Sequence, residues 1–290
     1  MADETWTVGR VLDWTCGYLE RKGEERPRHS AELLLCAVTG LSRVEIYTSF
    51  DRPLSADELS RMHDGVVRRG KGEPLQYVYG EMPFRHIVLR CEEGVLIPRP
   101  ETELVVETAL ASGIPDRARF ADLCAGSGCI GLTLALERPD WQGVLVEREP
   151  RALDALRLNR ERLKAGNAEV LAGDVFDLDL PARSFDLVAA NPPYVAESER
   201  ELVMPEVLAF EPAQALFSGR EGLAHIEAVA KLASRMLREG GILVLEHGFR
   251  QAAGVAEVLE DLGFDKIIAK KDLAGLDRVT RGVYKCPRCC

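Results

Sequence analysis

The chain has 290 residues, of which 46% are hydrophobic and 29% are charged, a composition typical of a globular protein that buries a full core. Its net charge of −10 argues against bulk nucleic-acid binding, because proteins that wrap DNA or RNA usually carry a basic face. There is no long uncharged apolar run, and the acidic N-terminus is unlike a signal peptide, so we expect a cytoplasmic protein without a membrane span. Three cysteines crowd the C-terminus (Cys286, Cys289 and Cys290), but no second pair at ligand spacing accompanies them, and we predict no metal site.

The first seventy or so residues predict a small helical domain. Apolar residues recur with helical spacing over residues 8–19, and residues 31–38 are apolar enough to lie in the core of a bundle. Ser55 and Glu58 form a capping box, in which each side chain satisfies a free amide of the other, and this pair predicts the start of another helix. We assign residues 1–73 to an N-terminal helical bundle domain.

The next segment is rich in β-forming residues. Residues 76–79, then Phe84 and residues 87–89, alternate in a way that predicts a hairpin or a pair of short strands. We place a β-hairpin linker at residues 74–97 and a last domain at residues 98–290.

The last domain alternates strands and helices, which predicts an α/β fold with a mostly parallel, Rossmann-like sheet covered by helices on both faces. A turn-rich segment near the end predicts an antiparallel hairpin that completes the sheet. Open sheets of this kind bind ligands beyond the carboxyl ends of their strands. The predicted strands are 120–124, 144–147, 170–171, 187–190, 242–246, 266–269 and 283–284, and the predicted helices are 129–136, 152–163 and 223–237.

A glycine-rich loop follows the first of these strands. Gly126, Gly128 and Gly131 satisfy G-x-G-x-x-G, and Glu147 ends the next strand at about the spacing expected for a ribose-binding acid. The pattern favours a nucleoside site over a plain tight turn.

Two further acids distinguish S-adenosylmethionine from NAD. Asp174 ends the third strand, where a carboxylate can accept from the adenine amine, and Asp122 precedes the glycines, close to where a cationic amino-acid group would lie. So much negative charge would repel a pyrophosphate but suits a sulfonium and an ammonium. The acids therefore favour S-adenosylmethionine, although each could instead be a helix cap.

The strand at 187–190 ends abruptly in Asn191-Pro192-Pro193-Tyr194. Proline cannot continue a strand, so two prolines form a stiff corner at the carboxyl edge of the sheet. The side-chain carbonyl of Asn191 and the backbone carbonyl of Pro192 can accept both hydrogens of an –NH2 group, while Tyr194 stacks on the flat group that carries it. The alternative is a proline turn that merely closes a strand.

With these motifs, the chain resembles the class I S-adenosylmethionine methyltransferases, and among them the PrmC/HemK group, which methylates a glutamine of peptide chain release factors. The resemblance runs through most of the chain. It includes Gly72-Glu-Pro-Leu-Gln-Tyr77, Val95-Leu-Ile-Pro-Arg-Pro-Glu-Thr-Glu103, Asp122 to Gly128, Asn191 to Tyr194, Glu211-Pro-Ala-Gln-Ala-Leu216, Gly240-Gly-Ile-Leu-Val-Leu-Glu246 and Asp272-Leu-Ala-Gly275.

The resemblance implies a helical N-terminal domain, a hairpin linker and a seven-stranded methyltransferase domain. It further implies that the substrate is the glutamine of the Gly-Gly-Gln motif in class 1 release factors, and that S-adenosylhomocysteine is the product. Carried over by position, the substrate clamp is Asn191, Pro192, Pro193 and Tyr194, of which Asn191, Pro192 and Tyr194 are catalytic. The implied cofactor residues are Cys124, Ala125, Gly126, Ser127, Gly128, Glu147, Asp174, Val175 and Asn191.

Three of these residues depart from the group's pattern. Glu147 replaces an aspartate, Cys124 replaces a glycine, and Val175 stands where an aromatic residue sometimes occurs. Three other functions stay open: a glutamine methyltransferase of a large-subunit ribosomal protein, a DNA adenine methyltransferase, and a non-catalytic adaptor that binds release factors. A DNA enzyme would usually add a basic recognition region, and an adaptor would have no need of an intact clamp and glycine loop.

Overall fold

The computed structural model describes residues 5–285, which fall into two compact units that divide between Glu81 and Met82. The cysteine-rich tail, Cys286, Cys289 and Cys290, lies outside the described residues. Among residues 5–285, no helix combines the length and the apolar character needed to cross a bilayer.

The first unit consists of helices around one apolar core. The helices are α1 (Val8–Arg21), α2 (Pro27–Thr39), α3 (Arg43–Thr48), α4 (Ala56–Arg69) and α5 (Leu75–Tyr79). Val8, Leu12, Leu35 and Ile46 are fully buried between them, as the helical periodicity predicts. The predicted capping box at Ser55 is confirmed, with Ser55 and Glu58 bonding each other's backbone amides at the start of α4.

The β-strand prediction for residues 76–79 is wrong, because this segment is helix α5. Its carbonyls at Tyr77 and Val78 accept hydrogen bonds from the Arg68 guanidinium, and Gly80 ends the helix in the left-handed conformation. This tertiary capping outweighs the β propensity of tyrosine and valine. The hairpin itself is confirmed further on, where β1 (Glu81–Phe84) pairs with β2 (Ile87–Arg90).

The second unit is built on a seven-stranded sheet. Its strands are β3 (Arg119–Leu123), β4 (Gln142–Glu147), β5 (Ala168–Ala172), β6 (Phe185–Ala190), β7 (Leu237–Glu246), β8 (Phe264–Lys271) and β9 (Asp277–Tyr284). They lie in the order β5-β4-β3-β6-β7-β9-β8, with β9 antiparallel to both of its neighbours and the other pairs parallel. The chain reverses its direction of winding at β3, so a ligand crevice is expected beyond the carboxyl end of that strand.

The sheet is covered on both faces, which explains the continuous apolar run of β6. Leu187 and Ala189 belong to one buried core, while Val188 and Ala190 belong to the other. The helices of this unit are α6 (Glu103–Leu110), α7 (Cys129–Glu137), α8 (Pro150–Leu163), α9 (Pro205–Phe210), α10 (Ala224–Met236) and α11 (Ala252–Asp261), with short 3-10 turns at Pro100–Thr102, Glu197–Leu202 and Ala213–Ala215.

Candidate functional site

A cavity with about 650 Å³ of empty space, partly open to solvent, lies at the carboxyl ends of β3, β4, β5 and β6. The lining residues are Gly94, Val95, Leu96, Cys124, Gly126, Val146, Glu147, Arg148, Glu149, Ala152, Gly173, Asp174, Val175, Asn191, Pro193, Pro212, Gln214, Ala215 and His225.

The loop between β3 and α7 forms the floor of this cavity. Cys124 has a φ of 62°, in the left-handed region that favours the glycine found there in the resembling group. Gly128 has a φ of 90°, and a Cβ there would lie 2.5 Å from Leu156 and 2.7 Å from Leu132. The chain can therefore make this turn, close against α7 and α8, only with glycine at position 128.

Asp122 supports the loop from below. It is completely buried, and its Oδ2 accepts from the Gly131 amide at 2.7 Å. Burial raises the pKa of Asp122 to about 8, with the charge of Glu147 acting in the same direction. Asp122 is not among the residues that line the cavity, and its hydrogen bond is to the backbone of the segment that follows the loop.

Glu147, at the end of β4, is held in one orientation by three backbone amides. Its Oε2 accepts from Gly126 at 2.8 Å, and its Oε1 accepts from Arg148 at 2.7 Å and from Glu149 at 2.8 Å. A fixed carboxylate facing a cavity is a suitable acceptor for a pair of ribose hydroxyls. Because Gly126 donates to it directly, the glycine loop and the acid form one rigid element, and the donor set fits a nucleoside.

The far end of the cavity carries mixed charge. Asp174 accepts from the Phe176 amide at 3.1 Å and pairs with Arg148 at 3.0 Å; burial raises its pKa, but these two interactions together lower it below the usual value. His225 lines the same end, where it contacts Ser218 at 2.7 Å and meets the ring of Phe176 edge-on. Burial and the charge of Arg148 lower the pKa of His225, which favours a neutral imidazole.

The proline corner brings Asn191 to the rim of the cavity. The Asn191 Nδ2 donates to the Thr102 hydroxyl at 3.1 Å, and no donor within residues 5–285 bonds its Oδ1. Among the described residues, no backbone amide donates to the Pro192 carbonyl. The corner therefore leaves two oxygen acceptors free, one from a side chain and one from the backbone.

Tyr194 turns away from the cavity lining and into the protein. Its hydroxyl donates to Glu246 Oε1 at 3.0 Å, and burial raises the pKa of this tyrosine well above its usual value. Glu246 is completely buried at the end of β7, and burial raises its pKa to about 7. The hydroxyls of Thr102 and Tyr194 and the charge of Arg278 oppose that rise, while Glu101 adds to it.

Two segments, one before and one after the proline corner in the chain, close over the cavity. Residues 95–97 are tied to residues 211–215 by Glu211, whose Oε2 accepts from the Ile97 amide at 3.2 Å and whose Oε1 pairs with Arg99 at 2.5 Å. Both segments carry lining residues, so Glu211 fixes the roof of the site.

The structure brings together seven of the residues singled out from the sequence: Cys124, Gly126, Glu147, Asp174, Val175, Asn191 and Pro193 all line the cavity. Ala125, Ser127 and Gly128 belong to the loop without lining it, and Pro192 and Tyr194 lie behind the rim. Sequence reasoning missed Thr102, Arg148, Glu211 and His225. Thr102 and Glu211 stand in segments that carried the resemblance, whereas His225 gave no signal beyond its place in a helix.

Comparison with known proteins agrees with the family resemblance of the sequence motifs. Two family models match the chain, the PrmC N-terminal domain at residues 10–80 and the methyltransferase small domain at residues 101–257. The chain is 40% identical to the release factor glutamine methyltransferase of Geobacter sulfurreducens over 96% of this chain and 97% of that protein. It is also 36% identical to the Vibrio cholerae protein of the same name (97% and 98% covered) and 37% identical to that of Rhodopirellula baltica (96% of each).

Proposed function

Because the chain belongs to the release factor glutamine methyltransferase family, we propose that its substrate is the glutamine of the Gly-Gly-Gln motif in class 1 peptide chain release factors. The protein is an S-adenosylmethionine-dependent methyltransferase that acts on a release factor glutamine. We place this activity in the cytoplasm without bulk nucleic-acid binding, and divide the chain into a helical bundle (1–73), a β-hairpin linker (74–97) and a methyltransferase domain (98–290).

The residues around the cavity suit S-adenosylmethionine, which supplies a methyl group activated by a sulfonium. Glu147 would hold the ribose, because its two oxygens already face the cavity in a fixed orientation. The loop 124–128 would lie along the cofactor, and Asp174 and Val175 would contact the adenine. The Phe176 amide and Arg148 lower the pKa of Asp174, so this carboxylate is ionised and can accept from the adenine amine.

The pair of free acceptors at the proline corner supports a clamp for the substrate amide. An amide nitrogen is a poor nucleophile, because its lone pair is shared with the carbonyl group. Asn191 Oδ1 and the Pro192 carbonyl can each accept one N–H of the glutamine side chain, which fixes the –NH2 plane at the rim of the cavity. Orientation and electrostatics of this kind together supply on the order of 10 kcal/mol of barrier reduction, and no general base is required.

The experiment is incubation with purified release factor and isotope-labelled S-adenosylmethionine, followed by mass mapping of the Gly-Gly-Gln peptide. We expect one methyl group on the glutamine side-chain nitrogen. Label on a large-subunit ribosomal protein but not on release factor would contradict the proposed substrate, and salt-sensitive duplex binding with label on DNA would contradict the reaction class.

Asn191→Ala separates the clamp from cofactor binding. Removing one fixed acceptor should slow methyl transfer by about 10²- to 10³-fold, by analogy with the loss of one preorganised hydrogen-bonding group. The cofactor Kd, measured by calorimetry, should stay within about threefold, because Glu147 and the glycine loop are untouched. An equal loss of transfer and of cofactor binding would contradict the assigned role.

A further inference from the structure

His225 lies at the start of α10 and lines the cavity at the end that carries Asp174. Its ring meets the ring of Phe176 edge-on, with the centroids 4.9 Å apart, and the Phe176 amide donates to Asp174 at 3.1 Å. These contacts join the imidazole to the carboxylate that would hold the adenine amine. Neither the clamp nor the cofactor loop makes use of this histidine.

Ser218 decides which ring nitrogen of His225 carries the proton. Ser218 is buried, and its Oγ accepts from the His225 backbone amide at 3.1 Å and lies 2.7 Å from the His225 Nδ1. Within residues 5–285, Nδ1 is the only acceptor in hydrogen-bonding distance of that hydroxyl. The Ser218 hydroxyl therefore donates to Nδ1, and the proton of a neutral imidazole is on Nε2.

The imidazole is neutral near pH 7. Burial and then the charge of Arg148 lower the pKa of His225, and the charge of Asp174 opposes them only in part. Nε2 is then an N–H donor, and it has no hydrogen-bond partner among the described residues. His225 thus provides one unused donor at the end of the cavity where Asp174 provides an acceptor.

We propose that His225 is a specificity-determining residue that donates to a ring nitrogen of the adenine, and that Ser218 is a positioning residue that keeps the donor on Nε2. Adenine carries its amine, a donor, between the acceptor nitrogens N1 and N7. Asp174 and His225 match one such donor–acceptor pair. Hypoxanthine has a carbonyl oxygen in place of the amine, which would face the Asp174 carboxylate as a second acceptor. The inference rests on the proposed function, because it assumes that Asp174 accepts from the adenine amine.

The test combines changes in the protein with changes in the ligand. The probes are S-adenosylhomocysteine and its 1-deaza and 7-deaza forms, in which a C–H group replaces one acceptor nitrogen, and binding is measured by calorimetry without turnover. His225→Phe keeps a ring that can pack on Phe176 but removes both ring nitrogens. His86→Phe makes the same change at an exposed histidine outside the cavity lining.

The wild type and His86→Phe should bind one of the two deaza forms about tenfold more weakly than S-adenosylhomocysteine, the effect of one lost hydrogen bond. His225→Phe should bind S-adenosylhomocysteine about tenfold more weakly and should no longer distinguish it from that deaza form. If His225→Phe still distinguishes both deaza forms as the wild type does, another group contacts the ring nitrogens and the inference is overturned. Should His225→Phe not fold, the double variant Ser218→Ala/His225→Phe removes both partners of the buried pair and repeats the test.

Nitrogen-15 NMR of the imidazole tests the role of Ser218 directly, because the chemical shift of a ring nitrogen depends on whether it is protonated. The His225 signals are assigned by their absence from the spectrum of His225→Phe. We expect the proton on Nε2 in the wild type and a mixture of both tautomers in Ser218→Ala, since Nδ1 then loses its donor. A wild-type proton on Nδ1, or an unchanged spectrum in Ser218→Ala, would overturn the role of Ser218.

S-inosylhomocysteine, the hypoxanthine form of the ligand, separates this inference from the proposed function. We expect the wild type to bind it at least tenfold more weakly than S-adenosylhomocysteine. Equal binding of the two would show that Asp174 does not accept from the amine, and would overturn the assigned adenine contact together with this inference. A strong preference for the adenine form, combined with deaza effects that do not depend on His225, would overturn this inference alone.

Discussion

Replacing Glu147 with glutamine tests whether the cofactor loop and the ribose acid act as one element. The change keeps the shape of the side chain but turns one acceptor oxygen into a donor. Placed at Oε1, the new NH2 group would face the amides of Arg148 and Glu149 and lose two hydrogen bonds. Placed at Oε2, it would face only Gly126 and lose one, so the glutamine should settle with its NH2 group toward the glycine loop.

The expected loss of cofactor affinity follows from this hydrogen-bond geometry. A hydrogen bond to a charged group contributes about 1.5–3 kcal/mol, and the variant replaces the charged acceptor offered to the ribose hydroxyls with a neutral amide. The lost bond from Gly126 also leaves the glycine loop less rigid before the cofactor binds. A loss of about 2–4 kcal/mol in binding corresponds to roughly 30- to 1,000-fold weaker cofactor affinity. Glu147→Asp, which restores the residue usual in the resembling group, keeps both oxygens and should lose less affinity.

Isothermal titration with S-adenosylhomocysteine measures the effect directly, without turnover. Glu169→Gln on the neighbouring strand β5 is the matched control, because its side chain is exposed and lies outside the cavity lining. If Glu147→Gln binds within about threefold of the wild type, the carboxylate is not the anchor that the three amide contacts indicate.

Two other predictions follow from the buried groups around the proline corner. Burial raises the pKa of Glu246 to about 7, and the ionised carboxylate accepts from the Tyr194 hydroxyl more strongly than the neutral acid does, so the single-turnover rate should rise with pH through about 7; a rate unchanged from about pH 6 to 8 would contradict this. A Cβ at Gly222, where φ is 85°, would lie 2.2 Å from the Tyr194 carbonyl oxygen. Gly222→Ala should therefore lower both the methylation rate and the melting temperature, the melting temperature by a few degrees for each kcal/mol of stability lost. Gly219→Ala is the control: a Cβ there makes only an ordinary contact at 3.8 Å, so neither the methylation rate nor the melting temperature should change.

The sheet could be predicted from the sequence because both of its faces are buried. Strands such as β6 then appear as unbroken apolar runs between turn residues, and the glycine loop falls at a strand end. Residues 76–79 were predicted wrongly because the Arg68 guanidinium caps their helix, a contact that local propensity does not contain. Helix α11 was missed because only two of its residues, Val255 and Leu259, are fully buried, which leaves a weak periodic signal.

Some residues of the site could be identified from the local sequence, whereas others are brought to the site only by tertiary contacts. Glu147 and Asn191 could be assigned because each follows a strand directly and has the chemistry that its ligand needs. Thr102 could not be assigned from the sequence, because it lies 89 residues from Asn191 in the chain and contacts it only in the folded domain. Tyr194 shows the converse: its place beside Asn191 favoured stacking on the substrate, whereas the structure turns its hydroxyl to Glu246, 52 residues away.

These tertiary contacts answer a requirement of the chemistry itself. A clamp that works by orientation must hold its two acceptors still and must also leave them unbonded, two demands that conflict in a polar loop. The prolines resolve the conflict in part, because they stiffen the backbone without donating to any neighbour. Hydrogen bonds to neighbouring groups hold the corner in place without using the two acceptors. The Thr102 hydroxyl accepts from the nitrogen of Asn191, Glu246 accepts from the Tyr194 hydroxyl, and Gln251 donates to the Tyr194 carbonyl at 2.9 Å. Since these three residues come from three separate segments, rigidity at the corner depends on the packing of the whole domain, and loosening any one should slow transfer before it weakens cofactor binding.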